Sequence, residues 1–449
     1  MLSYVDARGE PVSGASEEAI SLFETALAQL QCYQGDPVAT IESAISDSPG
    51  FIMAHCLRAY VFALTTEQSA MAEVRASYEA AGDVTSLARE RRHLHVVGHL
   101  LNGNWERAVA VLEDILIDSP RDALALQVLH LSDFFLGDAR NLRDHVARVL
   151  PEWSVDDPGY HALLGMYAFG LVECGDYARA EDMGRKALAL NPCDAWAQHA
   201  VAHVMEMQGR QEEGIDWMNQ GRHHRAGDNA LAVHNWWHLA LFHLDLDQID
   251  RVLELYDGPI RGGRSPAVLD LIDATALMWR LHLRGIDSAT RWSELAESWE
   301  ALAEGGFYAF NDAHAMMAFA AADRDKAAAA LLVAQQKAMV GNASNAMVTH
   351  QVGHPLCNAL RAFGRGDYAT AVHLLRPLRS RLSRFGGSHD QRDVVDLTLM
   401  EAARRDGQLA LVRELANERI ELKPTSPLNQ RYREEASRRL AELSGVAMV

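Results

Sequence analysis

The 449-residue sequence predicts an all-α protein built as one solenoid of stacked helix pairs, a right-handed superhelix with a central groove. Apolar residues recur at helical spacing along almost the whole chain, while the alternating pattern of strands is nearly absent. Glycine turns return at a fixed period, since Gly103 and Gly137 are 34 residues apart, as are Gly175 and Gly209. This period is typical of tetratricopeptide repeats, so we expect degenerate tetratricopeptide-like units.

A shared local pattern marks the individual repeats. "NGNWERAVAVLEDILIDSP" near residue 102 and "CGDYARAEDMGRKALALNP" near residue 174 each combine a glycine turn, an aromatic residue and a proline that ends the helix. We therefore predict a single helical-repeat domain over residues 1–449. Its predicted parts are N-terminal capping helices over 1–90, groove-forming repeats over 91–383, and a C-terminal repeat and cap over 384–449.

Composition and charge restrict the classes of partner. The formal net charge of −19 predicts no nucleic acid partner, because a polyanion would be repelled. No apolar stretch is long enough to cross a bilayer, so no membrane partner is expected, and the chain start lacks a signal-peptide pattern. Five scattered cysteines without a C-x-x-C pair predict reduced thiols and a cytoplasmic protein. A symmetric homodimer is the default expectation for self-association.

The stretch "HAVAHVMEM" places His199, His203 and Glu206 on one face of a helix. A repeat register counted from Ala195 directs this face toward the groove. The spacing is that of a ligand cluster or of a catalytic acid–base group.

The following unit opens with "VHNWWHLALFH", which directs His234, His238 and Trp237 toward the same groove. Neighbouring helices pack about 8–10 Å apart, so the two helices are predicted to present five polar side chains to one cavity. A histidine on an inner helix is often a packed core residue without a function. For any one of these residues taken alone, this structural interpretation is the favoured one. The clustering of all five favours a functional site.

Several motifs together resemble the tetratricopeptide-repeat protein 38 family, also called StaR-like. They are "GMYAFGLVECGDYARAE", "DAWAQHAVAHVMEMQGR", "HNWWHLALFH", "LMWRLHLRG", "FNDAHAMMAF" and "GGSHDQRD". The resemblance covers roughly residues 90–440 and implies a solenoid of helix pairs. It implies little about chemistry, so the site residues have to support any function.

Further residues are candidates for substrate binding beside Trp237. Asp273 is predicted either to cap its helix or to orient a histidine of the previous unit, and His314 follows residues that also suit a helix cap. His389 and Arg392 follow a glycine pair at the start of a helix, where an anion can dock, although a loop with a cap explains them equally. His161 occupies a marginal groove position.

Two classes of function fit these residues. The first is a small-molecule enzyme, with a hydrolase acting on an amide, ester or aromatic substrate as the leading hypothesis. A single divalent metal such as zinc, held by the predicted histidines, is one route to an activated water. No nucleotide-binding motif is present, and a flavin held in another way is left open. The alternative is a tetratricopeptide-type scaffold that binds a peptide or protein without catalysis.

Overall fold

The protein is described by a computed structural model over residues 4–82, 87–220, 229–286, 288–302 and 305–443. The prediction of an all-α helical-repeat fold is confirmed, because the described chain is helical throughout apart from one antiparallel hairpin of two-residue strands. The chain forms two compact units. Unit 1 comprises Met1–Val201, Gly221–Ala232 and Asn342–Ser344, and unit 2 comprises Ala202–Gln220, Val233–Gly341 and Asn345–Val449. The predicted subdivision at residues 90 and 383 stays a prediction.

Unit 1 begins with the hairpin and continues as antiparallel helix pairs. Its elements are β1 Tyr4–Val5, β2 Pro11–Val12, α1 Glu17–Cys32, α2 Pro37–Asp47, α3 Ile52–Ala63, α4 Met71–Gly82, α5 Ala88–Leu101, α6 Trp105–Asp118, α7 Ala123–Leu136, α8 Ala139–Val149, α9 Tyr160–Glu173, α10 Tyr177–Leu190 and the first part of α11 Ala195–Met207. A short 3₁₀ turn, Leu150–Glu152, follows α8.

The predicted repeat period is visible in the helix ends of unit 1. The side chain of Asp122 caps α7 by accepting a hydrogen bond from the backbone N–H of Ala125. Gly137 ends the same helix in the left-handed conformation, at φ 68°, which a residue with a side chain rarely adopts. Gly103, one period earlier, takes a φ of 67° after α5. The glycine period in the sequence therefore reports successive helix ends.

Unit 2 contains the rest of α11 and the helices that follow it. They are α12 Gln211–Gln220, α13 Ala232–Asp245, α14 Ile249–Leu255, α15 Val268–Leu283, α16 Ala289–Ala301, α17 Ala309–Ala321, α18 Asp325–Ala338, α19 Ser344–Val348, α20 His354–Gly364, α21 Tyr368–Leu375, α22 His389–Arg405, α23 Leu409–Leu422 and α24 Pro427–Leu443. This series is interrupted by two π-helical turns, Tyr256–Ile260 and Thr349–Gly353, and by a 3₁₀ stretch, Arg376–Phe385.

Helices α15 and α22 are joined by buried polar contacts. The indole Nε1 of Trp279 donates a 2.9 Å hydrogen bond to Oγ1 of Thr398. The guanidinium of Arg280 donates a 2.6 Å hydrogen bond to the backbone carbonyl of Asp390, at the start of α22. Because buried donors need partners, these two contacts fix the start and the middle of α22 against α15.

Candidate functional site

Three predicted histidines converge in the interior of unit 2. His203 lies on α11, and His234 and His238 lie one turn apart on α13. The ring centroids of His203 and His238 are 4.4 Å apart, and those of His234 and His238 are 4.8 Å apart. We refer to His203, His234 and His238 as the histidine cluster. The structure thus brings together residues from two helices that the sequence predicts to face one another.

Two aspartates hold the outer imidazoles of the histidine cluster. Nδ1 of His234 lies 2.9 Å from one carboxylate oxygen of Asp273 and 3.0 Å from the other. Nδ1 of His203 lies 2.8 Å from Oδ2 of Asp390. All four side chains are at most 7% exposed. Each pair therefore fixes the orientation of its ring, as the sequence predicts for Asp273 but not for Asp390.

Burial sets the charge of the central imidazole. The pKa of His238 is lowered well below its usual value, first by burial and then by the neighbouring rings of His203 and His234. His238 is therefore neutral near pH 7. A neutral imidazole can act as a ligand or as a proton acceptor.

A buried ion pair borders the histidine cluster. Nζ of Lys423 lies 2.6 Å from Oε1 of Glu206 and 3.9 Å from Oδ1 of Asp390. Burial raises the pKa of Glu206, while the ammonium of Lys423 opposes this shift. Glu206 is thus close to the histidines, as predicted, but its carboxylate contacts a lysine 217 residues further along the chain.

The space beside this ion pair is small. A cavity of about 30 Å³ adjoins Glu206, Arg280, Asp390 and Lys423 within unit 2. This volume holds one or two water molecules, whereas organic ligands occupy pockets of about 300–1,000 Å³. This cavity has room for a small ion or water but not for an amide or ester substrate, and its lining includes none of the three histidines.

Trp237 differs from the open substrate wall that the sequence predicts. Its side chain is completely buried, and its ring stacks on His234 with centroids 5.3 Å apart. The guanidinium of Arg280 lies 5.4 Å from the centroid of the indole. Trp237 therefore packs one side of the histidine cluster, and a role in substrate binding stays a prediction.

Two predicted site residues belong to unit 1. His199 precedes His203 by one turn of α11, but the unit boundary falls between residues 201 and 202. Its ring stacks on Phe169 with centroids 5.4 Å apart. His161 pairs through Nδ1 with Asp194 at 2.8 Å. Both imidazoles have local partners in unit 1, and their predicted functional roles stay predictions.

Three further candidates have local contacts in unit 2. Nδ1 of His314 pairs with the backbone carbonyl of Phe310 at 2.8 Å, and burial lowers the pKa of this histidine to about 4. The guanidinium of Arg392 donates to the carbonyl of Gly387, while His389 is exposed. At the predicted anion site, the guanidinium of Arg392 is therefore already bonded to a backbone carbonyl, and the imidazole of His389 lies at the surface. Anion binding there stays a prediction.

Sequence reasoning missed Asp390 and Lys423. The motif "GGSHDQRD" contains a usable signal, since Ser388 caps α22 and the side-chain oxygen of Gln391 accepts a hydrogen bond from the backbone N–H of Ser388. A capping box fixes where the helix begins and hence which residues of its first turn face inward. Lys423 directly follows the last residue of α23, and the sequence around it shows no comparable signal.

Unit 1 contains a larger pocket that no sequence motif indicates. Its volume is about 510 Å³, and the side chain of Ile117 at its edge is 77% exposed. We refer to it as the unit 1 pocket. It is lined by Glu113, Leu116, Ile117, Pro120, Leu129, His145, Arg148, Val149 and Glu152.

The polar side of the unit 1 pocket is organised around His145. Its Nδ1 lies 2.7 Å from Asp133, and its Nε2 lies 2.8 Å from Glu113, which also accepts a 2.8 Å hydrogen bond from Arg148. Burial opposes the charge on His145, yet hydrogen bonds to the two carboxylates raise its pKa. Burial raises the pKa of Asp133 to about 6. The group therefore retains a proton into the neutral range.

No family model matches the chain. Three solved structures are similar to it at low levels. The human IFIT1 dimer with m7Gppp-AAAA is 14% identical, with 98% of this chain and 96% of that chain covered and a TM-score of 0.36. The same dimer with PPP-AAAA is 12% identical, with 98% and 96% covered and a TM-score of 0.40. The TPR domain of P58(IPK) is 14% identical, with 87% and 98% covered and a TM-score of 0.21.

The fold defines the class of this protein as an all-α tetratricopeptide-like helical-repeat protein. Within the described residues no helix combines the length and the apolar character needed to span a membrane. The prediction that excludes nucleic acid is wrong, because the similar structures are IFIT1 complexes with m7Gppp-AAAA and PPP-AAAA. A net charge sums over the whole chain and does not describe the charge of any one binding surface.

Proposed function

We propose that this protein is a helical-repeat binding scaffold and that the unit 1 pocket receives an apolar side chain of a peptide segment. One observation carries the proposal. The unit 1 pocket, at about 510 Å³, has the size of a ligand site, whereas the cavity beside the ion pair of Glu206 and Lys423 measures about 30 Å³. The volume of the unit 1 pocket therefore supports ligand binding there.

The lining of the unit 1 pocket fits a peptide better than a small charged ligand. Five of the nine lining residues are apolar, and together they suit one aliphatic or aromatic side chain. Arg148 and Glu113 stand at the polar side with 59% and 33% of their side chains exposed. Partly exposed charges of this kind can exchange their mutual contact for the amide and carbonyl groups of a peptide backbone.

A selection experiment tests this proposal. A random peptide library displayed on phage is selected on the immobilised full-length protein, and the dissociation constants of enriched peptides are measured by fluorescence anisotropy. We expect enrichment of peptides with a shared apolar residue. The Ile117→Asp variant should bind them at least about 10-fold more weakly, because a carboxylate at the pocket edge must be desolvated when an apolar side chain enters.

Val155→Asp is the matched control, since Val155 is also an exposed apolar residue of unit 1, at 60%, and does not line the unit 1 pocket. Its peptide affinity should equal that of the unsubstituted protein. Absence of any enriched peptide, or equal binding by the Ile117→Asp variant, would overturn the proposal. A 5′-triphosphate RNA oligonucleotide is titrated in parallel. Binding of this RNA that depends on Ile117 would replace the peptide by RNA as the occupant.

A small-molecule hydrolase remains the second candidate function. It is favoured by the two histidine–aspartate pairs of the histidine cluster, which orient imidazoles as acid–base catalysis requires. The test is a panel of ester and amide substrates with the unsubstituted protein and the His238→Ala variant. Turnover that disappears in the folded variant would support the hydrolase, and turnover that survives would remove it.

A cytoplasmic location is part of the proposal. None of the five cysteines forms a disulfide bond, and all five lie within the described chain. Reduced thiols are usual in the cytoplasm. Fractionation of the source cells, with detection of the untagged protein, checks this assignment.

A further inference from the structure

The histidine cluster has the composition and the spacing of a metal centre. We propose that His203, His234 and His238 bind one transition-metal ion, such as Zn²⁺, and that this ion stabilises unit 2. The proposal is independent of peptide binding, because the residues of the unit 1 pocket belong to the other unit.

The distances within the histidine cluster suit one ion. The ring nitrogens that would act as ligands lie within 4.8 Å of one another. Zn–N bonds of about 2.0–2.1 Å at tetrahedral angles separate the ligand nitrogens by about 3.3 Å. Small rotations about the side-chain bonds are enough to close the difference. Imidazole nitrogen is a preferred ligand of zinc, copper and nickel, so the ligand type selects these ions over magnesium or calcium.

Asp273 and Asp390 occupy the positions of the carboxylates that orient histidine ligands in metal sites. In most such sites a histidine ligand donates its other ring N–H to a carboxylate, which fixes the tautomer and turns the opposite nitrogen toward the ion. Asp390 and Asp273 take this position at Nδ1 of His203 and His234. Nε2 of each ring is then the ligand atom.

The shortest contacts of the cations near the histidine cluster are with other groups. Lys423 contacts Glu206 at 2.6 Å and lies 3.9 Å from Oδ1 of Asp390, and Arg419 pairs with Asp393. Arg280 donates to the backbone carbonyl of Asp390 at 2.6 Å and to that of Ala276 at 3.1 Å. The carboxylates of Asp390 and Asp273 therefore remain beside the imidazoles, and their two negative charges match a divalent ion.

Metal content is measured first on full-length protein purified without chelator and after removal of any histidine tag. Inductively coupled plasma mass spectrometry should find about one zinc, copper or nickel ion per chain. The protein stripped with a chelator is then titrated with Co²⁺, and its visible absorption should show bands of a tetrahedral nitrogen site that saturate at one equivalent. Zn²⁺ should displace these bands and raise the melting temperature of the stripped protein.

Substitutions identify the ligands. His203→Gln and His238→Ala should each lower the Zn²⁺ affinity at least about 100-fold, because each removes one of three bonds to the ion. His243→Ala is the matched control. His243 lies on the same helix α13, pairs with Gln248 and is not part of the histidine cluster, so its loss should leave the affinity unchanged. Circular dichroism verifies that each variant retains its helices.

His238→Cys keeps the test valid if the other variants fail to fold, since a thiolate is also a metal ligand. Its Co²⁺ complex should gain a sulfur-to-metal charge-transfer band in the near ultraviolet. Asp273→Asn tests the positioning role of this aspartate and should weaken Zn²⁺ binding about 10–100-fold. Stripped protein that takes up neither Co²⁺ nor Zn²⁺ would overturn the proposal, as would equal affinity in the folded His238→Ala variant.

Discussion

Units 1 and 2 both place histidines against buried carboxylates, but they differ in what surrounds the pair. In unit 1, His145 contacts Asp133 and Glu113 beside a pocket of about 510 Å³. In unit 2, His203 and His234 contact Asp390 and Asp273 beside a cavity of about 30 Å³. The side chains of both kinds of pair are buried, at 2% exposure for His145 and Asp133 and at most 7% for His203, His234 and their aspartates. The volume of the adjoining space, rather than residue type or burial, distinguishes the two sites.

The largest expected loss of stability is at the histidine cluster of unit 2. Asp390→Ala should lower the free energy of unfolding by about 3–5 kcal/mol, because it leaves His203 and Lys423 buried beside a lost carboxylate. Urea unfolding followed by circular dichroism measures this change. Asp325→Ala is the control, since Asp325 pairs with Arg365 at the surface and its loss should cost less than about 1 kcal/mol. Equal effects of the two substitutions would show that the histidine cluster is open to solvent.

The second prediction concerns the pH dependence of stability that arises from Asp133 and His145, beside the unit 1 pocket. Burial raises the pKa of Asp133 to about 6, above its value of about 3.9 in an unfolded chain, so the folded protein loses stability as pH rises between these values. The raised pKa of His145 acts in the same direction, because its contribution is full below about pH 6.5 and is lost above the folded pKa. Asp133→Asn should therefore gain about 2 kcal/mol relative to the unsubstituted protein between pH 4 and pH 7.

Urea unfolding at a series of pH values tests this difference. Asp114→Asn, an exposed substitution on α6, is the control and should leave the pH dependence unchanged. A flat difference between the Asp133→Asn variant and the unsubstituted protein would show that the pKa of Asp133 is the same in the folded and the unfolded chain.

The smallest expected effect lies at the edge of the unit 1 pocket. Arg148→Ala should change the free energy of unfolding by less than about 1 kcal/mol, because the side chain is 59% exposed and its pair with Glu113 is screened by water. Thermal unfolding of this variant is compared with that of Arg140→Ala, whose side chain is 82% exposed. A loss above about 2 kcal/mol in Arg148→Ala alone would mean that this edge is packed rather than open.

The sequence is informative where structure is local. A 34-residue glycine period reports helix ends, and the i, i+4 spacing of His234 and His238 places both on one face of α13. The pairing of Asp273 with His234 is one of the two alternatives that the sequence leaves open for Asp273, the other being a helix cap. These inferences use the helix geometry and the stacking of consecutive helix pairs, which are the same in every repeat.

Contacts between distant parts of the chain could not be predicted. Lys423 reaches Glu206 across 217 residues, and no pattern in either segment indicates the other. The depth of burial of Trp237 depends on how α15, which carries Arg280, packs on it, and the sequence of its own helix does not specify this packing. The unit 1 pocket is likewise a space left between α6, α7 and α8, and an unfilled volume has no sequence signal.

Unit 1 contains segments that are far apart in the chain, and this affects when it can fold during synthesis. Gly103 accepts a 2.9 Å hydrogen bond from the backbone N–H of Ser344, and Ser344 is 238 residues beyond its second partner, Glu106. A ribosome adds roughly 5–20 residues per second, so the first half of the chain waits roughly 10–50 s for these contacts. Unit 1 is therefore completed only after just over half of the chain of unit 2 has been synthesised.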